Sequence, residues 1–212
     1  MSAHSLAIFG ISGRTGHELA KVAGLNGWKV RGLVRPRSVV EGDLDTCRIV
    51  RGNFDELGQV VETIADSAAV CCLIGPRPPY RDVFCAAATV AIMTAMKQTS
   101  CRRLICQTGA MIGPAPNRSC PMEWAARTFA RWHPEAAQDR EEQERLIKSS
   151  GLEWTIVKPP RLTDSPPRHR VQASSSLQVG LLSKISRADL AAFLLDEIEA
   201  GRFVRQRIFV KG

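Results

Sequence analysis

No long apolar run occurs in this 212-residue chain; nothing approaches the roughly 20 residues that a membrane-spanning helix needs. The first apolar strand pattern begins at Leu6, so no secretory leader is expected. There is no C-x-x-C pair and no His/Cys cluster at ligand spacing, so no metal site is expected. The seven cysteines are an odd number, and several sit inside apolar patterns where Cys acts as a small hydrophobe, so no disulfide framework is expected either. Internal repeats are missing, and so is any motif of a nucleic-acid module. The net charge of +8 is scattered and directs attention to a small anionic partner rather than to nucleic acid. A soluble, cytoplasmic protein with reduced thiols, without membrane or nucleic-acid partners and monomeric or weakly dimeric, is the expectation.

What is present concentrates in Leu6-Ala7-Ile8-Phe9-Gly10-Ile11-Ser12-Gly13-Arg14-Thr15-Gly16-His17-Glu18-Leu19. An apolar strand ends in glycines at i, i+3 and i+6 and then becomes a helical pattern. Gly10 suits a tight turn, Gly13 a close approach of backbone to a pyrophosphate, and Gly16 close packing of helix on sheet. The helix start adds unbonded N–H groups and a positive dipole end, so the stretch is expected to cradle a dinucleotide.

The second strand, Trp28 to Arg35, ends in Arg35-Pro36-Arg37-Ser38, with no acid until Glu41. A carboxylate at this point would hold a ribose 2′-OH; guanidinium groups match a 2′-phosphate instead, which points to NADPH (NADP+). Asn53 and Phe54 follow the third strand at the edge where an adenine would lie. Gly75 ends the fourth strand, and Thr108-Gly109-Ala110 ends the fifth. Strands and helices alternate without a break to Gly109. The expected fold is α/β, a single Rossmann-like domain over 1–212 with a doubly wound parallel sheet, helices on both faces and an irregular lid. Gly10 to Gly16, Arg35, Gly75 and Thr108 to Ala110 should converge at the strand carboxyl ends.

Two segments interrupt the pattern, about 111–134 and 159–179. The first is punctuated by Pro114, Pro116, Pro121 and Pro134 and gathers Trp124, Phe129, Trp132 and His133. It reads as an aromatic lid for a planar or polycyclic substrate. The second begins at Pro159-Pro160 and carries Arg161, an anion or carbonyl clamp placed by the end of a strand.

These residues resemble the atypical short-chain dehydrogenase/reductases, in the NmrA-like, NAD(P)H-binding branch that includes biliverdin IXβ reductase/flavin reductase. The likeness runs through Ile8 to Gly16, Leu33-Val34-Arg35, Ser150-Gly151-Leu152-Glu153-Trp154-Thr155-Ile156-Val157-Lys158-Pro159-Pro160 and Ile185 to Ala191. It implies that Gly10, Ser12, Gly13, Arg14 and Thr15 hold the pyrophosphate, Arg35 the 2′-phosphate, and Thr108 to Ala110 with Pro159 the nicotinamide side. The pattern fails at the catalytic group: the family's ordinary members use a Tyr-x-x-x-Lys pair as proton donor, whereas the one tyrosine here, Tyr80, has Phe84 four residues on. Where the flavin-reductase branch has a Ser and a His, this chain has Gly109 and Arg161. The expected activity is NADPH-dependent hydride transfer to a flavin, quinone, tetrapyrrole or natural-product-like carbonyl or enone. Arg161, Thr108 and His133 are the catalytic candidates, with His169 second to His133 as proton donor. A non-redox isomerase or cyclase that keeps NADP as a scaffold, and an NADP(H)-sensing regulator without turnover, are the alternatives.

Overall fold

The computed structural model describes residues 4–38, 44 and 47–212. Five parallel strands come first: β1 (Ser5–Phe9), β2 (Lys29–Val34), β3 (Cys47–Arg51), β4 (Ala69–Cys72) and β5 (Arg103–Gln107). Helices α1 (Arg14–Leu25), α2 (Leu57–Ile64) and α3 (Cys85–Lys97) connect them. After β5 come α4 (Cys120–Trp132), α5 (Pro134–Lys148), β6 (Glu153–Lys158), β7 (Arg161–Thr163), β8 (Gln172–Ser174), β9 (Lys184–Ser186), α6 (Arg187–Ala200) and β10 (Gln206–Lys211). The main sheet runs β3-β2-β1-β4-β5-β6-β10-β8, and β7 pairs with β9 in a small separate sheet.

The apolar strands are covered on both faces, and their side chains alternate accordingly. In β1, Leu6 and Ile8 join one core while Ala7 and Phe9 join the other. In β4 the division is Ala69 and Cys71 against Val70 and Cys72. One core carries α1 and α6; the other carries α2, α3 and α5. Each fully buried large aliphatic side chain contributes about 1.5–3 kcal/mol, so these two layers dominate the stability of the sheet. Helix α6 is fixed at both ends: Ser186 Oγ accepts the Asp189 N–H at 3.0 Å, and Gly201 closes the helix with φ +58°.

The expected α/β fold, a mostly parallel sheet with helices on both faces, is present, and two details differ. The sheet is not wholly parallel, because β8 pairs antiparallel with β10 and forms the edge. The lid is not wholly irregular, because residues 120–132 form α4. Pro121 lies in its first turn, where a missing N–H costs nothing, Glu123 favours the positive helix end, and Met122 and Ala126 supply a buried face. The proline that reads as a break is part of a helix start.

Candidate active site

The turn after β1 is built from backbone in close contact. Gly10 has φ +92°, and a Cβ there would lie 2.9 Å from the Leu73 carbonyl carbon and oxygen. A Cβ on Gly16 would lie 2.1 Å from the Gly10 carbonyl oxygen. Gly13 N–H donates to Gly10 O at 2.9 Å. The N-cap of α1 is Gly13, with no side-chain cap and no acid in the first turn, so the first N–H groups of this helix await an acceptor from outside the chain. Ser12 and Arg14 are exposed around it and Thr15 is buried. This cradle fits a pyrophosphate. Arg14 pairs with Asp164 at 2.8 Å, and Asp164 also pairs with Arg187 at 2.5 Å, so one carboxylate links the glycine turn to the segment after β7 and to the start of α6.

At the end of β2, Arg35 and Arg37 are exposed and have no ion-pair partner among the described residues. Their loop is fixed by Ser38 N–H on Arg35 O and by Arg51, which donates to Pro36 O and Ser38 O. Glu41 lies outside the described residues. Asn53 Nδ2 donates to Glu56 Oε1 at 3.0 Å, and Phe54 packs against Phe9 with ring centroids 5.8 Å apart. Phe54 therefore belongs to the core as much as to the rim of the crevice.

A cavity of about 440 Å³ opens at the carboxyl ends of β4, β5 and β6, walled by residues 73–76, 107–112 and 159–162. Gly75, Thr108, Gly109, Pro159, Phe129 and Arg161 all line it, whereas Gly10 to Gly16 and Arg35 do not. A Cβ on Gly75 would meet nothing within 4 Å, so this glycine leaves space rather than relieving a contact. Trp124 and Trp132 do not line the cavity; they stand on the outer side of α4, 70% and 74% exposed, while Met122 and Phe129 of the same helix face inward. Residues i, i+4 and i+7 share a helix face, and Met122, Ala126 and Phe129 take the inner one. His133 packs its ring on Phe129 and Tyr80, at 5.3 and 4.9 Å, behind the wall of the cavity. His169 is elsewhere, in a second cavity of about 520 Å³ on the outer side of α6.

Two lining residues carried no signal in the sequence. Tyr80 holds φ +61°, an uncommon conformation for a bulky residue, and stacks edge-on against Phe129. Arg140 of α5 is buried and donates to Ile74 O, Gln107 O and Gln143 Oε1 at 2.8–2.9 Å, which ties the ends of β4 and β5 together. Beside it, Thr108 Oγ1 donates to Glu144 Oε1 at 2.8 Å, and Glu144 also takes a hydrogen bond from Lys158 Nζ. Lys158 donates further to Ile112 O at 2.7 Å. Burial pushes the Lys158 ammonium down to about 8, although Glu144 works in the opposite direction. Arg118 holds the carbonyls of Ile112 and Gly113. The floor of the cavity is thus braced from beneath by buried cations on its carbonyl groups.

An open α/β sheet with a capless glycine turn after its first strand and a crevice at its strand ends defines a dinucleotide-binding Rossmann-type protein. A family model described as NAD(P)H-binding matches residues 10–200, and the chain belongs to that family. Among solved structures, a short-chain dehydrogenase/reductase of Veillonella parvula DSM 2008 in complex with NADP superposes with a TM-score of 0.79 at 14% identity, covering 99% of this chain and 94% of that one. ChuY, an anaerobillin reductase from Escherichia coli O157:H7, does so with 0.75 at 17% identity over 98% and 96%. The oxidoreductase ylbE from Lactococcus lactis gives 0.75 at 14% over 98% and 91%. All three share the fold of this chain. No helix among the described residues is long and apolar enough to cross a membrane.

Proposed function

We propose that this protein is an NADPH-dependent reductase that delivers a hydride to a planar or polycyclic small molecule, of the flavin, quinone, tetrapyrrole or enone kind. The observation that carries this reading is the cavity beside the glycine turn: it is largely apolar, Phe129 and Tyr80 flank it, and among the described residues its only charged lining groups are two arginines. Such walls accept a flat apolar body with electron-rich or anionic edges. The solved anaerobillin reductase of the same fold agrees with a substrate of that shape.

Gly10 to Thr15 and the start of α1 hold the pyrophosphate, and Arg35 with Arg37 holds the 2′-phosphate. Thr108, Gly109 and Pro159 position the nicotinamide side. When bound, the dinucleotide supplies the hydride. Arg161, at the rim and without a hydrogen-bond or ion-pair partner among the described residues, takes an anionic or carbonyl edge of the substrate. Of the three hydroxyls among the described residues that line the cavity, Thr108 donates its proton to Glu144, and Ser183, whose Oγ accepts the Gly180 N–H, is an alcohol and a far weaker acid than a phenol. Tyr80 is the remaining one and the group placed to hand over a proton, with the His133 ring packed behind it.

The test is loss of reduced-nicotinamide absorbance with a panel of flavin, quinone and biliverdin acceptors. Turnover with at least one is expected; tight NADPH binding with no turnover across the panel would overturn the reading in favour of a sensor. Arg161→Ala should lower kcat/KM about tenfold or more, the loss of one charge-assisted hydrogen bond, with NADPH affinity unchanged. An unchanged rate would remove Arg161 from the site.

A further inference from the structure

The buried cations of this protein are matched by carboxylates, with one exception. Arg103 pairs with Glu197, Arg118 with Glu123 and Lys158 with Glu144. Arg140 is equally buried, 6% exposed, yet no carboxylate among the described residues is paired with it; its bonds go to the neutral oxygens of Ile74, Gln107 and Gln143. Three thiols surround it, and two of them are held protonated. Burial pushes Cys85 up to about 12, and a hydrogen bond to Cys72 together with burial holds Cys106 protonated. The hydrogen bond from Cys106 and the charge of Arg140 pull Cys72 below its ordinary value, so a Cys72 thiolate is the one local counter-ion open to Arg140.

A desolvated charge with no carboxylate partner is costly to keep in a folded protein. This one lines the substrate cavity, at the strand ends that the reading above assigns to the nicotinamide. Three neutral hydrogen bonds fix the guanidinium without cancelling its charge, and of its five N–H donors one remains beyond those three and the bond to Cys85.

We propose that Arg140 is a catalytic residue that stabilises the negative charge appearing on the acceptor when the hydride arrives. The inference rests on the reductase reading. A neutral acceptor A takes a hydride, two electrons and one proton, from the reduced dinucleotide and becomes AH⁻, while the dinucleotide is left oxidised. A proton from Tyr80, replaced from water, or from water directly then gives AH₂. Between these events the anion lies in a largely apolar cavity. A cation oriented in advance is there worth far more than in water, because nothing must reorganise as the charge forms. The chain's lack of a Tyr-x-x-x-Lys pair is met by this arrangement, in which charge is stabilised first and the proton follows.

Two measurements test this. The first needs no dinucleotide: a cyano-substituted 2-naphthol, whose fluorescence separates phenol from phenolate, is bound to the wild type and titrated. Its pKa should fall by about one unit, a tenfold shift toward the anion. Arg161→Gln should keep most of the shift and Arg140→Gln should abolish it. An unshifted naphthol on the wild type would mean that Arg140 is already neutralised, as by a Cys72 thiolate, and would overturn the proposal.

The second compares a neutral naphthoquinone with cationic N-methylacridinium at saturating NADPH. Arg140→Gln should slow the quinone about a hundredfold, the loss found for one preorganised donor, and leave the acridinium unslowed, because a hydride makes that acceptor neutral. Arg140→Lys should recover part of the quinone rate. Parallel losses for both acceptors would reduce Arg140 to a brace between β4 and β5. A wild type that shifts the naphthol but reduces neither acceptor would leave the anion site standing and overturn the reductase reading, and with it the catalytic role.

Discussion

Gly16→Val should leave the protein without measurable affinity for NADPH. The atoms that a Cβ would strike are all backbone: Gly10 O at 2.1 Å, Gly10 C at 2.7 Å and Ile11 Cα at 2.7 Å. None can rotate aside as the tip of a side chain would, so α1 must move away from the turn or the turn must open. Either change separates the unbonded N–H groups of α1 from the Gly10 to Gly13 backbone that would share the same phosphate. Loss of two such hydrogen bonds to a charged group weakens binding by roughly a hundredfold or more. Gly58→Ala is the control, since nothing lies within 4 Å of a Cβ there, and it should bind as the wild type does. Calorimetric titration of both variants, with their melting curves, is the measurement; a folded Gly16→Val that keeps wild-type affinity would refute the close-packed cradle. Gly16→Ala, a smaller intrusion on the same atoms, serves if the valine variant does not fold.

The largest expected effect on stability comes from Glu144→Leu. Lys158 is 0% exposed, and Glu144 is its only carboxylate partner among the described residues. Removing one member of a buried ion pair leaves the other charge uncompensated and costs about 3–5 kcal/mol. For a domain of this size that corresponds to a melting temperature lower by roughly 6–20 °C. Glu144→Leu combined with Lys158→Met should recover most of the loss, since a buried pair replaced by apolar groups of similar volume is often neutral. The sign of the pH dependence follows from Lys158. Its folded pKa, about 8, lies below the ordinary 10.5, so the unfolded chain holds the extra proton between those values and the stability contributed by this group rises across that window. Without Glu144 the folded pKa drops further, and the deficit of the single variant should shrink as pH is raised from neutral toward 8. Chemical denaturation at several pH values checks both; a double variant as unstable as the single one would contradict the account of the pair.

Much of this architecture was legible because two periodicities dominate the first half of the chain. β1, β4 and β5 are buried on both faces and read as continuous apolar runs, and the glycines of the first turn are required by backbone contacts that no other residue permits. The second half is written differently. Helix α5 reads as a charged surface helix, yet Asp139, Arg140, Gln143 and Glu144 are its buried side. Asp139 accepts the Cys85 and Ala86 N–H groups at the start of α3, and the other three brace the crevice. Hydropathy cannot find a polar face that is buried through hydrogen bonds. Strands β7, β8 and β9 have three residues each, too few to show a period. Spacing to a missing lysine excludes Tyr80 from a Tyr-x-x-x-Lys pair, whereas its place in the cavity comes from a loop conformation at φ +61° that no local pattern encodes. The two tryptophans of α4 were drawn into the lid by composition alone; helix periodicity sends them to solvent.

The cofactor site is tested most directly by calorimetric titration of the wild type with NADPH and with NADH at low and moderate salt. The 2′-phosphate carries close to two negative charges. Arg35 and Arg37 stand exposed at the end of β2, unpaired among the described residues, on a loop that Arg51 pins. Charge-assisted hydrogen bonds contributing about 2–3 kcal/mol give NADPH an advantage of roughly 30- to 150-fold, which shrinks as salt rises. Arg35→Asp should reverse the preference by repelling the phosphate and offering the ribose an acceptor. Equal affinity of the wild type for the two dinucleotides would contradict the assignment of this crevice to NADPH.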